Sequence, residues 1–201
     1  AAQVDSLRAR IEREEGGRLD VLVNDVWGGD HLVRWDAPFW EHDLAAGLRA
    51  WRNGVETHLV TAHRLAPLMA ARGAGLAIEV TDGDREDYRG SLFYDLAKAS
   101  AARLALALAR ELGPRSVTAV GITPGFLRSE AVLANFGVTD TLANPVLGLF
   151  QGQDVLAVND DWQISPDVQE IQQLELAPGD PLESVIVTTL APGEYTAFLS
   201  G

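Results

Sequence analysis

The chain has no cysteine, which excludes disulfides, thiolate catalysis and cysteine-held zinc. It has a single lysine, Lys98; the other fifteen of its 16 basic residues are arginine. No basic residue follows Arg128. Long apolar runs are missing too: none approaches the roughly 18 residues that would suggest a membrane span, and no signal-peptide pattern opens the sequence. Only four histidines occur, and His58 and His63 sit five apart on one predicted helix, a poor spacing for metal ligands. They read as structural, and no metal site is expected from them. The formal charge of −13 would repel a polyanion, so nucleic acid is not an expected partner.

What remains is enough for a core. The chain has 201 residues, 47% of them apolar, and its mean hydropathy is +0.01. That suits one ordinary domain or two small ones and excludes a disordered chain or a collagen-like fibre. The charge is unevenly spread. Residues 1–140 carry 20 acids and 16 bases, whereas residues 141–201 carry nine acids and no base. So abrupt a shift suggests two segments joined near Phe136–Pro145.

The first segment alternates helix and strand. Val4, Leu7 and Ile11 recur at helical spacing over residues 3–15, and Gly16-Gly17 ends that helix. Leu19–Val23 reads as a buried strand. A long helical stretch follows from Pro38 to Arg72, with Pro67 a candidate kink. Gly75–Thr81 reads as a strand, Ser91–Leu112 as a helix ended by Gly113-Pro114, and Ser116–Ile122 as a third strand before the Thr123-Pro124-Gly125 turn. Strands alternating with helices of this length imply βαβ units and a parallel sheet.

One pair in this pattern carries chemistry. Tyr94 and Lys98 stand at i and i+4, on one helix face. A nearby ammonium stabilises phenolate and so lowers the tyrosine pKa toward a range useful for proton transfer. Taken alone, so short a motif is as readily a surface pair with no role.

Three stretches in register resemble the short-chain dehydrogenase/reductase family over about residues 1–138: Leu19–Gly29 (LDVLVNDVWGG), Tyr94–Lys98 (YDLAK) and Thr123–Ser129 (TPGFLRS). They are similar to that family's Asn-Asn-Ala-Gly strand end, Tyr-x-x-x-Lys helix and Pro-Gly turn. The resemblance implies NAD- or NADP-dependent hydride transfer between a small-molecule alcohol and a carbonyl. It casts Tyr94 as the acid/base, Lys98 as the cation that tunes it and holds the nicotinamide ribose, and Asn24 as a neighbour of the cofactor. Pro124 and Gly125 would lie under the nicotinamide ring, with Ser129 facing its carboxamide. The family's catalytic serine stands about 13 residues before the tyrosine, which lands on Thr81; Asp82 takes that slot instead if the loop is one residue shorter. Asp25, Val26 and Trp27 depart from the strand-end motif. The family's helix asparagine aligns near Gly54, with Asn53 one position off. Trp27, Trp35, Trp40 and Trp51 could line a substrate pocket, although core packing is the commoner role of such residues.

The largest departure is the family's Thr-Gly-x-x-x-Gly-x-Gly loop, whose backbone N–H groups hold the dinucleotide pyrophosphate. None of the 201 residues supplies it; Gly73-Ala74-Gly75 is too short and too late. By the resemblance, some 75 to 85 residues of the nucleotide half are absent, which would expose a sheet edge and impair catalysis.

Residues 142–201 switch period. Val146–Phe150 and Val155–Val158 are short apolar runs around a Gln151–Asp154 turn, and Ser184–Leu190 and Tyr195–Leu199 flank an Ala191–Glu194 turn. Val185, Val187, Tyr195 and Phe198 or Leu199 are the expected core. Asn159–Trp162 and Leu190–Thr196 resemble the β-sandwich repeats of secreted bacterial proteins, pre-peptidase C-terminal-type modules. That resemblance implies a binding or architectural unit. Asp160 and Asp161 could join Asp154 or Asp180 around calcium, though a solvated Asx turn is the commoner reading.

The expectation is therefore an α/β chain: a partial Rossmann-like parallel sheet with helices over residues 1–138, then a small antiparallel β module over 142–201. Two functions follow, a truncated oxidoreductase or a non-enzymatic protein whose β module binds. The first segment's resemblance implies a cytoplasmic location and the second's a secreted one. A homo-oligomer is compatible with either, and no membrane partner is expected.

Overall fold

Period-2 burial shows directly in the first strand, β1 (Val21–Asn24): Leu22 and Asn24 are buried while Val21 and Val23 are exposed. The computed structural model describes residues 1–82, 88–124 and 144–200. It divides into two compact units, Ala1–Ile122 with Ala191–Glu194, and Thr123–Leu190 with Tyr195–Gly201. The chain is mixed α/β, with a Rossmann-like parallel sheet and a small antiparallel portion.

In the first unit, β1, β2 (Gly75–Val80) and β3 (Val117–Thr123) pair in parallel in the order β1-β2-β3. Parallel neighbours need a crossover, and the helices supply it. α1 (Ala2–Glu14) precedes β1; α2 (Leu44–Arg72) joins β1 to β2; α3 (Leu92–Leu112) joins β2 to β3. α2 starts later than the sequence pattern suggests. The Asp43 carboxylate caps it, accepting from the N–H groups of Ala45 and Ala46, while residues 38–42 hold a 3₁₀ turn. Pro67 sits within the helix and does not end it, and Gly73 closes it in the left-handed conformation that suits glycine.

The core of this unit is Leu22, Leu65, Ala66, Met69, Ala77, Ala109, Val117 and Ala119, with Val4 and Ile11 of α1 packed on it. α3 buries a stripe of alanines, Ala97, Ala101, Ala105 and Ala109, at i, i+4 spacing. Small side chains let the helix approach closely: Ala105 lies against Gly121 of β3 and Ala97 against Gly54 of α2.

In the second unit, β4 (Val146–Gln151) pairs antiparallel with both β5 (Asp154–Asn159) and β6 (Glu194–Ser200), giving the order β6-β4-β5. The short helix α4 (Val168–Gln173) buries Ile171, and Leu149, Trp162 and Tyr195 are buried with it. Residues 184–190 form no strand, contrary to expectation. The Val185 N–H donates to the Asn159 side chain rather than to a ladder, and the Glu183 carbonyl accepts from the Trp162 N–H. Phe198 is over a third exposed and does not join the core.

No described helix is long and apolar enough to cross a membrane. Residues 125–143 lie outside the described residues, and with them the expected junction near Phe136–Pro145.

Candidate active site

Eleven residues separate β2 from α3, and hydrogen bonds from Thr81 to the Lys98 carbonyl and from Tyr94 to Asp82 bring the end of the strand against the first two turns of the helix. Helical spacing puts Tyr94 and Lys98 on one face. The Lys98 Nζ lies 5.5 Å from the Tyr94 ring centroid and 5.2 Å from that of Trp27. Trp27 meets Tyr94 edge-on, 5.1 Å between centroids, and Trp35 flanks the phenol at 5.0 Å. Trp27 is fixed in turn by its indole N–H, which donates to Asp30 at 2.6 Å. Trp35 and Trp40 are exposed, so the core role weighed for them is not what they do.

The Tyr94 hydroxyl does not meet a hydroxyl partner. It donates to the Asp82 carboxylate at 2.6 Å, and the Arg89 guanidinium holds the other oxygen of that carboxylate at 2.5 Å. Thr81 is buried and turned away; its hydroxyl donates to the Lys98 backbone carbonyl at 2.7 Å. The slot weighed between Thr81 and Asp82 thus has the carboxylate against the phenol and the threonine against the helix backbone.

These contacts reverse an expectation. Burial, then the hydrogen bond to Asp82 and its charge, push the Tyr94 phenol well above its ordinary value near 10, with Asp30 adding to the rise and Arg89 opposing it. Burial also lowers the Lys98 ammonium from its usual value, against the pull of Asp82, Asp25 and Asp30. For Asp82, burial would raise the carboxyl. The hydrogen bonds from Tyr94 and Arg89, with the charges of Arg89 and Lys98, outweigh it and hold Asp82 below the ordinary carboxylate value.

Asn24 is buried at the end of β1. Its amide N–H donates to Glu79 Oε1 at 2.7 Å. The other Glu79 oxygen lies 2.5 Å from His58 Nδ1, and His58 Nε2 lies 2.8 Å from the Val26 carbonyl. The Val26 carbonyl can only accept and an ionised Glu79 also accepts, an arrangement that favours the doubly protonated imidazolium. His58 is 3% exposed and Glu79 1%, a fully buried ion pair. Burial alone would depress His58, but the Glu79 and Val26 hydrogen bonds and the Glu79 charge raise it above its usual value. Sequence reading placed His58 as structural and gave no sign of Glu79; a glutamate within the apolar run Leu76–Val80 was the available signal. Asn53 donates to the Gly28 carbonyl at 2.9 Å and so ties α2 to the loop that carries Trp27.

Pro124 is half-buried just past the end of β3, whereas Gly125 and Ser129 lie outside the described residues. Among the described residues, no group of three His, Asp or Glu side chains is placed to hold a metal ion. Asp160 is exposed, and one Asp161 oxygen is buried without a partner.

A parallel α/β sheet with crossover helices defines a Rossmann-like fold, and Tyr94 and Lys98 converge on one face of the helix that follows β2. The family profile described as Enoyl-(Acyl carrier protein) reductase matches residues 1–146. The chain belongs to the short-chain dehydrogenase/reductase family of oxidoreductases. It is 29% identical over 152 residues to human Dehydrogenase/reductase SDR family member 1, covering 75% of this chain and 49% of that protein. It is 28% identical over 117 residues to the 7alpha-hydroxysteroid dehydrogenase of Escherichia coli K12, covering 58% and 44%. It thus spans about half the length, or less, of these curated relatives. Among solved structures, a 7 alpha-hydroxysteroid dehydrogenase complexed with NADH and 7-oxo glycochenodeoxycholic acid has the same fold, with a TM-score of 0.56 at 24% identity over 66% of this chain and 50% of that one. ElxO with NADP bound gives 0.59 at 18% identity, over 68% and 53%.

Proposed function

We propose that this chain carries the reaction-centre half of an NAD(P)-dependent oxidoreductase that interconverts a small-molecule alcohol and a carbonyl. The observation that carries the reading is the half-buried Lys98 ammonium. Among the described residues it makes no hydrogen bond or ion pair and lies over the rings of Trp27 and Tyr94. A desolvated cation with free donors fits the hydroxyls of a nicotinamide ribose, and the adjacent phenol fits the reacting oxygen.

The dinucleotide supplies or removes a hydride when bound. Lys98 holds its ribose, and Tyr94 exchanges a proton with the substrate oxygen at Oη. Thr81 holds the Lys98 backbone, and the family resemblance assigns Pro124, Gly125 and Ser129 to the nicotinamide side, the last two lying outside the described residues. Asn24 acts from beneath, through Glu79, since its amide is committed there. No loop in these 201 residues suits the pyrophosphate, so the chain by itself binds dinucleotide weakly and turns over slowly. NAD and NADP are not distinguished by the residues present.

The antiparallel strands β4, β5 and β6 add binding or architectural surface; a non-enzymatic role centred on them is the competing function. The test is absorbance at 340 nm in both directions, NADH or NADPH with a panel of ketones and NAD or NADP with the matching alcohols. Slow turnover that vanishes in Y94F and K98A supports the reading. Oxidation or reduction of the dinucleotide that is indifferent to both changes, or neither at any concentration, sinks it.

A further inference from the structure

The Tyr94 hydroxyl has one proton, and it is given to Asp82. A phenol so engaged has only lone pairs to offer a ligand. With Lys98 engaged by the ribose, a carbonyl, which can only accept, finds no donor at the phenol, whereas an alcohol does find an acceptor.

We propose that Asp82 is the positioning residue of this site: by taking the Tyr94 proton it leaves the phenol oxygen as an acceptor, so the site takes an alcohol ahead of the matching carbonyl. This rests on the oxidoreductase reading and assigns its direction. Among the described residues, the charged groups that face the phenol are Asp82, Arg89, Lys98 and Asp30. Asp82 and Arg89 come from the segment between β2 and α3, Lys98 from α3 itself, and Asp30 from the loop after β1. Asp82 is braced by Arg89 on one oxygen and accepts from Tyr94 on the other, so it cannot swing away without breaking an ion pair.

The step balances. The alcohol O–H bond breaks and its proton goes to Tyr94 Oη as the tyrosine's own proton goes to Asp82 Oδ2. The carbinol C–H bond breaks, and its hydrogen leaves with both electrons to the oxidised nicotinamide. The carbon is oxidised by two electrons and becomes a carbonyl. Tyr94 ends neutral, never having become a phenolate, and the Asp82 acid returns its proton to water through its partly exposed side chain.

Two measurements test this without any dinucleotide. The first is tyrosinate absorbance at 295 nm against pH for the unaltered chain, Y94F, D82N and D82S, with circular dichroism confirming that each is folded. The unaltered chain should titrate like Y94F up to about pH 11, because Tyr94 stays protonated. D82N and D82S should each gain a third tyrosine, with its ionisation constant raised about tenfold or more, one pH unit. A Tyr94 that titrates with the other tyrosines in the unaltered chain, or that is unmoved by D82N and D82S, overturns the proposal. The second is saturation-transfer NMR with cyclohexanol and cyclohexanone, with nicotinamide mononucleotide present to occupy Lys98. The unaltered chain should favour the alcohol, D82E should keep that preference and D82S should lose it. Equal saturation of both, or none of either, overturns the proposal. If the titration behaves as expected but no hydride transfer is found, the oxidoreductase reading falls and the hold on Tyr94 stands; the opposite pair of results separates them the other way.

Discussion

At the scale of single residues, the buried pair His58–Glu79 is the costliest arrangement in the described chain. Two charges out of water are tolerated because each is hydrogen-bonded, Glu79 to Asn24 and His58 to the Val26 carbonyl. Removing one partner strands the other. H58A should cost about 3–5 kcal/mol in urea denaturation, and H58L/E79L should cost well under the sum of its singles, since the unpaired charge disappears. The pair also links stability to pH. His58 is held above its ordinary value of about 6.5, so its contribution is complete below that value and is lost as pH rises through the raised one. The urea midpoint should therefore fall from neutral into alkaline pH in the unaltered chain and lose that slope in H58L/E79L. A slope that persists unchanged in the double variant contradicts the assignment.

At the scale of elements, α2 and α3 cross at small residues. A Cβ on Gly54 would lie 2.7 Å from the Trp27 ring and 3.2 Å from Ala97, and one on Gly47 would run into the Phe93 ring. G54A should then cost about 1–3 kcal/mol by overpacking, and it should shift tryptophan fluorescence, because Trp27 must move off Lys98. Much at this scale was legible in the sequence. Helical spacing and glycine stops located α1, α2 and α3, and β-branched runs between them located three parallel strands. The failures share a cause: tertiary partners intervene. The start of α2 is set by the Asp43 cap, and residues 184–190 give Val185's N–H to Asn159 in place of a ladder. The site was half legible. The shared face of Tyr94 and Lys98 follows from their spacing and their roles from the family resemblance, but the contact between Asp82 and Tyr94 depends on how the chain between them folds. Glu79's role depends on a helix 21 residues away.

At the scale of the whole molecule, composition separates two segments, since all the basic residues precede residue 129. Residues 142–201 should resist proteolysis as a piece once the chain is cut near Thr139–Pro145, and that piece, with no basic side chain, should bind tightly to an anion exchanger. If cutting there never leaves a protected C-terminal piece, the modular reading is lost.

The proposed reaction centre requires that Lys98 and Tyr94 hold a nicotinamide ribose. The direct measurement is quenching of tryptophan fluorescence by reduced nicotinamide mononucleotide, which lacks the adenylate half and so does not need a pyrophosphate loop. The account predicts weak saturable quenching with a dissociation constant of about 1 mM, worth about −4 kcal/mol, and its loss in K98A. Quenching that survives K98A unchanged would contradict it, as would its absence from the unaltered chain.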